Sequence, residues 1–138
     1  MTFPTRRSTT LATTLGLAAS SLLLASSPAS AATSCLGSTC NGLDPATTVC
    51  QNDARTVLWA GWNEVELRYS PTCRAAWARK TTGVPGRGIS VTNSLGNSYS
   101  TVWNGGTAYT RMVNDKDIKA WACAHWDAGE QHECTAGY

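Results

Sequence analysis

Val65-Glu66-Leu67-Arg68-Tyr69-Ser70-Pro71-Thr72-Cys73-Arg74-Ala75-Ala76-Trp77-Ala78-Arg79-Lys80 is the stretch that decides the fold class of this chain. Val65, Leu67 and Tyr69 alternate with Glu66, Arg68 and Ser70, a period of two that puts apolar side chains on one face of a strand and polar ones on the other. Ser70-Pro71-Thr72 then supplies turn chemistry. Beyond it Cys73, Ala75, Trp77 and Arg79 fall on one side, and Arg74, Ala76, Ala78 and Lys80 on the other. That second run can return antiparallel to the first, although its alanines also allow a short helix.

Residues 56–60 read as a further strand before this pair, and residues 82–88, rich in Gly with Pro85, as a loop after it. Residues 89–93, 99–103 and 108–113 are short β-favouring runs. Ser94-Leu95-Gly96-Asn97 and Asn104-Gly105-Gly106 separate them with hairpin-type turns. Residues 115–121 read as a brief helical turn or the approach to a last strand through Cys123. The expectation is an all-β domain, a small barrel or sandwich of about six or seven short antiparallel strands. No repeat, linker or second domain interrupts it.

The first residues carry a different signal. Arg6-Arg7 precede an apolar, Ser/Thr-broken stretch from Leu11 to Ala25 that is too short to span a bilayer, and Pro28-Ala29-Ser30-Ala31-Ala32 supplies small residues of the kind signal peptidase requires. Residues 1–31 therefore read as a signal peptide and residues 32–138 as a single exported domain, secreted to the extracellular space. With 11 Lys and Arg against 9 Asp and Glu, two of the basic residues in the leader, the exported part is near neutral. It has no basic stripe that would favour nucleic acid and no later apolar run for membrane insertion.

Cys35, Cys40, Cys50, Cys73, Cys123 and Cys134 form an even set in a chain read as exported, which implies disulfides. The preferred pairing joins sequence neighbours: Cys35 with Cys40, Cys50 with Cys73, Cys123 with Cys134. Other connectivities stay open to a sequence argument. Such bridges compensate for the thin core of a domain of this size. No C-x-x-C spacing supports zinc or thiol exchange.

The run Val65 to Arg79 resembles the hallmark stretch of the YjfA-like family, small secreted bacterial proteins grouped as a domain of unknown function. Cys40-Asn41-Gly42-Leu43-Asp44-Pro45 is similar to that family's opening turn, Cys50 with Asp53-Ala54 to its next block, and Ala108-Tyr109-Thr110-Arg111-Met112-Val113 followed by Cys123 to its closing one. The resemblance covers residues 40–123 and leaves 124–138 as an added tail. It implies a secreted class and no particular chemistry.

Several constellations bear on catalysis and metal binding. Glu64 and Glu66 stand two apart, which on one strand face would bring two carboxyls within glycosidase reach; the plainer expectation is the wet face of an amphipathic strand, with Arg68 neutralising Glu66. The two histidines, His125 and His132, lie in the polar tail with Asp127, Glu130 and Glu133 but match no metal-protease spacing. Asn41, Asp44 and Asp53 could offer oxygens to calcium, yet turn-forming Asx residues account for them. The sequence therefore assigns no catalytic residue, no metal and no cofactor.

What remains is binding. Trp59 and Trp77 fall on strands and are expected in the core. Trp62 beside Gly61 and Asn63, and Trp103 before Asn104, sit at turns and are the candidate exposed indoles. The expectation is an extracellular interaction module contacting a protein or a glycan through Trp62 and Trp103. Two alternatives are a protease inhibitor presenting Arg87 from the 82–88 loop and a small cell-wall or polysaccharide hydrolase using Glu64 and Glu66.

Overall fold

The alternation over residues 65–70 is realised as a strand paired on both sides. The structure is a computed structural model that describes residues 29–62, 64–126 and 131–138. The expected leader, apart from its last few residues, and the acidic part of the tail at 127–130 lie outside the described residues.

The strands are β1 Arg55–Ala60, β2 Val65–Ser70, β3 Ala75–Lys80, β4 Gly88–Asn93, β5 Ser98–Val102, β6 Ala108–Tyr109, β7 Val113–Asn114, β8 Ala120–His125 and β9 Gln131–Cys134. One antiparallel sheet runs β1-β2-β3-β6, with β7 also on β3, and the second runs β5-β4-β8-β9. The architecture is a sandwich. The segment 75–80 is a strand rather than a helix, because pairing with β2 puts Leu67 beside Ala78 and Arg68 beside Trp77, burying both faces at once.

The strand count exceeds the expected six or seven for two local reasons. Residues 108–113 do not form one strand: Thr110 takes the Ala78 amide on its own Oγ1 at 3.0 Å, so a side chain replaces the backbone acceptor and splits the run into β6 and β7. The polar tail supplies β9, which pairs with β8 in a register that sets Cys123 opposite Cys134.

Between the sheets lies a core of Val65, Leu67, Ala76, Ala78, Ile89, Val91, Val113, Ala120, Ala122 and Ala124. Its alanines sit on β3, β7's neighbour, and on β8, and the branched residues of β2 and β4 fill the space they leave. The opposite face of the first sheet is also covered. Short 3-10 turns at Gly37–Cys40, Pro45–Thr47 and Val49–Asn52 bring Cys40 and Cys50 against Cys73, Ala75, Trp77 and Met112 in a second cluster. The disulfides pair Cys35 with Cys40, Cys50 with Cys73 and Cys123 with Cys134. The first two pin the 3-10 layer, and Sγ of Cys35 lies 3.5 Å from that of Cys50.

The expectation of a wet face at Glu66 is corrected. Glu66 is 3% exposed, bonded to Arg79 at 2.6 Å and to the Thr56 hydroxyl at 2.8 Å. Arg68 reaches the same Thr56 hydroxyl rather than Glu66 itself. Trp59 is a second correction: it is 49% exposed, not core. A bulge between Thr56 and Leu58 shifts the register, so that Leu58 pairs with Leu67 toward the core and Trp59 with Glu66 on the other side.

Candidate functional site

At one end of the sandwich the β1–β2 turn, the loop after β3 and the start of the β8–β9 connection converge. The β3 alternation that buries Ala76 and Ala78 carries Lys80 into the same interior, where it is 0% exposed. A buried ammonium requires a partner, and Glu64 provides it at 3.1 Å. The other oxygen of Glu64 faces Arg87 at 3.3 Å. One carboxylate thus holds two cations. Gly83 closes over them with φ of 125°, and a Cβ there would stand 2.7 Å from the Lys80 Nζ.

Aromatic rings complete the group. Lys80 Nζ lies 5.6 Å from the centre of the Trp103 ring, and the Arg87 guanidinium 4.9 Å from that of Trp126, both within cation–π range. Trp103 is 7% exposed, which corrects the expectation of an exposed indole. Its backbone pairs with the 82–88 loop, N to Arg87 O at 2.9 Å and O from Gly86 N at 2.8 Å. That extension of the β4–β5 ladder lays the indole across the end of the core, with Nε1 donating to Gly106 O at 3.0 Å.

Trp62 is different. It is 95% exposed and holds φ of 55°, beside Gly61 at 63°. Left-handed backbone costs a bulky L-residue about 1–2 kcal/mol, and no burial of the indole offsets it. Its flanking residue Asn63 lies outside the described residues. The turn itself is closed by Glu64 N donating to Gly61 O at 2.9 Å, and the space where a Cβ of Gly61 would sit is 3.6 Å from the Ala124 methyl of β8. The turn is therefore anchored on both sheets while its tryptophan points away.

The expected residues come together only in part. Trp62, Trp103 and Arg87 share this end of the sandwich, Trp103 as a packing residue. Trp126, 45% exposed, belongs with them; sequence reasoning assigned it to a polar tail because the β8–β9 hairpin was not legible. The carboxylate pair does not form. Glu66 meets Arg79 and Glu64 meets Lys80, consecutive residues of β3, so the two glutamates lie on opposite faces of the sheet. Glu64 precedes β2, in a turn where strand alternation does not apply. Arg87 folds back onto Glu64 and Trp126 instead of projecting from its loop.

The oxygens of Asn41, Asp44 and Asp53 are used by the chain itself. Asn41 Oδ1 accepts Asn114 N at 2.7 Å, and Asp44 Oδ1 accepts Ala46 N at 2.9 Å. Burial would raise the Asp53 carboxyl, but its bonds to the Ser70 hydroxyl and to Thr72 hold it below the usual carboxylate range. His125 Nε2 meets Ser90 Oγ at 2.7 Å. The sulfurs of Cys35, Cys40, Cys50 and Cys73 lie within 4.8 Å of one another, a metal-like grouping, but as two disulfides they present no thiolate.

Among the described residues no helix is long and apolar enough to cross a membrane. Comparison with curated proteins finds no match, and comparison with solved structures finds none either. A family model described as "Protein of unknown function (DUF2690)" matches residues 38–123, more than half of the chain, and the chain belongs to that family.

Proposed function

We propose that this member of a family of unknown function is an extracellular binding module, and that it receives a glycan on the end of the sandwich that carries Trp62, Arg87 and Trp126. Trp62 carries the reading. A large indole kept fully in solvent on unfavourable backbone does nothing for folding, and strain of this kind concentrates at ligand sites. At the same end the Trp126 ring lies against the Arg87 guanidinium, itself paired with Glu64, and exposed aromatic faces near such groups are the chemistry that stacks on a sugar ring and bonds its hydroxyls. The leader-like residues 1–31, the disulfides and the resemblance of Val65 to Arg79 to the secreted YjfA-like proteins support an extracellular setting.

The test is a depletion assay in which the purified, oxidised protein is mixed with peptidoglycan sacculi, chitin or cellulose and the supernatant is measured. At least one polymer should remove the protein. Trp62→Ala should weaken that removal on the order of tenfold, equivalent to about 1.4 kcal/mol, with thermal unfolding no lower than that of the parent. Retention of binding by Trp62→Ala, or no removal by any polysaccharide, overturns the reading.

A further inference from the structure

The outer face of the first sheet is not wholly covered by the 3-10 layer. Between the Pro45–Thr47 turn and β6 a cleft of about 250 Å³ remains, with Ala46, Arg68, Trp77, Arg79 and Tyr109 in its wall. It lies on the face opposite the core, apart from the end that carries Trp62.

Its electrostatics are unbalanced. Arg79 gives Nε and Nη2 to Glu66 Oε2 at 2.7 and 2.6 Å. Arg68 gives its two terminal nitrogens to Thr56 Oγ1 and to Ala54 O, each at 2.9 Å. Among the described residues Glu66 is the one carboxylate paired with either guanidinium. The two guanidiniums of the wall and Glu66 behind them together carry one net positive charge. Burial holds the Arg68 guanidinium below its ordinary pKa and the like charge of Arg79 pushes the same way, with Glu66 opposing both. Of these two partly buried arginines only Arg79 is paired with a carboxylate among the described residues, and an anion that enters between them stabilises both.

We propose that this cleft binds a small organic anion, its carboxylate or phosphate held between Arg68 and Arg79 and its body against Trp77 and Tyr109. The planar forks of two arginines suit either acid group. The apolar walls at Ala46 and the two rings require that the acid be attached to a hydrocarbon or ring body. At this volume the occupant is a single ring or short chain, either free or as the end of a larger molecule.

Titration of the oxidised full chain, followed through the indole N–H of Trp77 and the side-chain N–H signals of arginine by NMR, tests it with four probes. Benzoate and phenyl phosphate separate the two acid groups, benzyl alcohol removes the charge, and inorganic phosphate removes the body. At least one aryl anion should saturate the site. Benzyl alcohol and inorganic phosphate should each bind on the order of tenfold more weakly than it does. The sign of the Glu66→Gln effect decides between binding and structure: loss of the competing carboxylate should tighten the anion severalfold, whereas Arg79→Gln should weaken it on the order of tenfold. Should Arg79→Gln not fold, Tyr109→Ala, on an exposed ring of a two-residue strand, is expected to lower affinity with the fold intact. Failure of both aryl anions to bind overturns the proposal, as does benzyl alcohol binding as tightly as benzoate, inorganic phosphate binding as tightly as phenyl phosphate, or Glu66→Gln leaving anion affinity unchanged or lower.

Discussion

The ammonium of Lys80, buried to 0% exposure, sits 3.1 Å from Oε2 of Glu64 and 5.6 Å from the ring centre of Trp103. It closes one end of the interior between the two sheets. The alternation that buries Ala76 and Ala78 continues one step too far to stay apolar, and the β1–β2 turn bends Glu64 back to meet the charge that results. Breaking a buried pair by removing one partner leaves the other charge stranded, at a cost of about 3–5 kcal/mol. Because Glu64 keeps some contact with water and holds Arg87 as well, Glu64→Gln is expected near the lower end. Lys80→Met together with Glu64→Gln should recover most of that loss. Urea denaturation of the two single variants and the double variant measures it.

The two disulfides of the 3-10 layer should differ in worth. Cys50 and Cys73 are 23 residues apart and Cys35 and Cys40 only 5. On a chain-entropy account these loops correspond to about 3.4 and about 2 kcal/mol. The double replacement of Cys50 and Cys73 by Ala is therefore expected to lower the melting temperature more than that of Cys35 and Cys40. The Cys50–Cys73 bridge also joins the layer directly to the sheet beside Ala75 and Trp77, so its loss should loosen the tryptophan environment in near-UV circular dichroism.

Asp115 is 6% exposed, and neither carboxylate oxygen has a hydrogen-bond donor among the described residues. The Ala120 amide that faces it donates instead to Tyr138 O at 3.4 Å. Burial pushes the carboxyl up from 3.8 to about 7, against smaller opposing pulls from that amide, Lys119 and Arg74. A carboxyl raised in the fold holds its proton more tightly there than in the unfolded chain. Its stabilising contribution is complete below the unfolded pKa and is lost as the pH rises from about 4 to about 7, by roughly 4 kcal/mol. Asp115→Asn is expected to remove that slope and to raise stability at neutral pH. Equal slopes of stability against pH for parent and variant would refute the assignment.

Trp62 offers a separate test of the claim that its indole does not serve folding. Trp62→Asn places a residue that tolerates left-handed backbone at φ of 55°. The expected result is a gain of about 0.5–1 kcal/mol, read by thermal denaturation. A loss of stability would mean that the ring packs in solution and is not presented to a ligand.

The β class was legible in the chain, since a period of two over residues 65–70 has no helical reading, whereas joining each cysteine to its sequence neighbour was one preferred connectivity among several until the strands were in place. Trp62 was also legible, because an indole between Gly61 and a polar residue has little beside it to pack on. Three features depend on contacts between segments distant in the chain. The bulge at Val57 turned Trp59 outward, since register depends on a partner strand that local sequence does not contain. The side of β2 expected to be wet is buried, and Glu66 on it is held by Arg79 and the Thr56 hydroxyl. The Glu64–Lys80–Arg87 group and the rings of Trp103 and Trp126 were gathered from five separate segments, and only the packing of two sheets brings charges so far apart in the chain to within a few ångströms of each other.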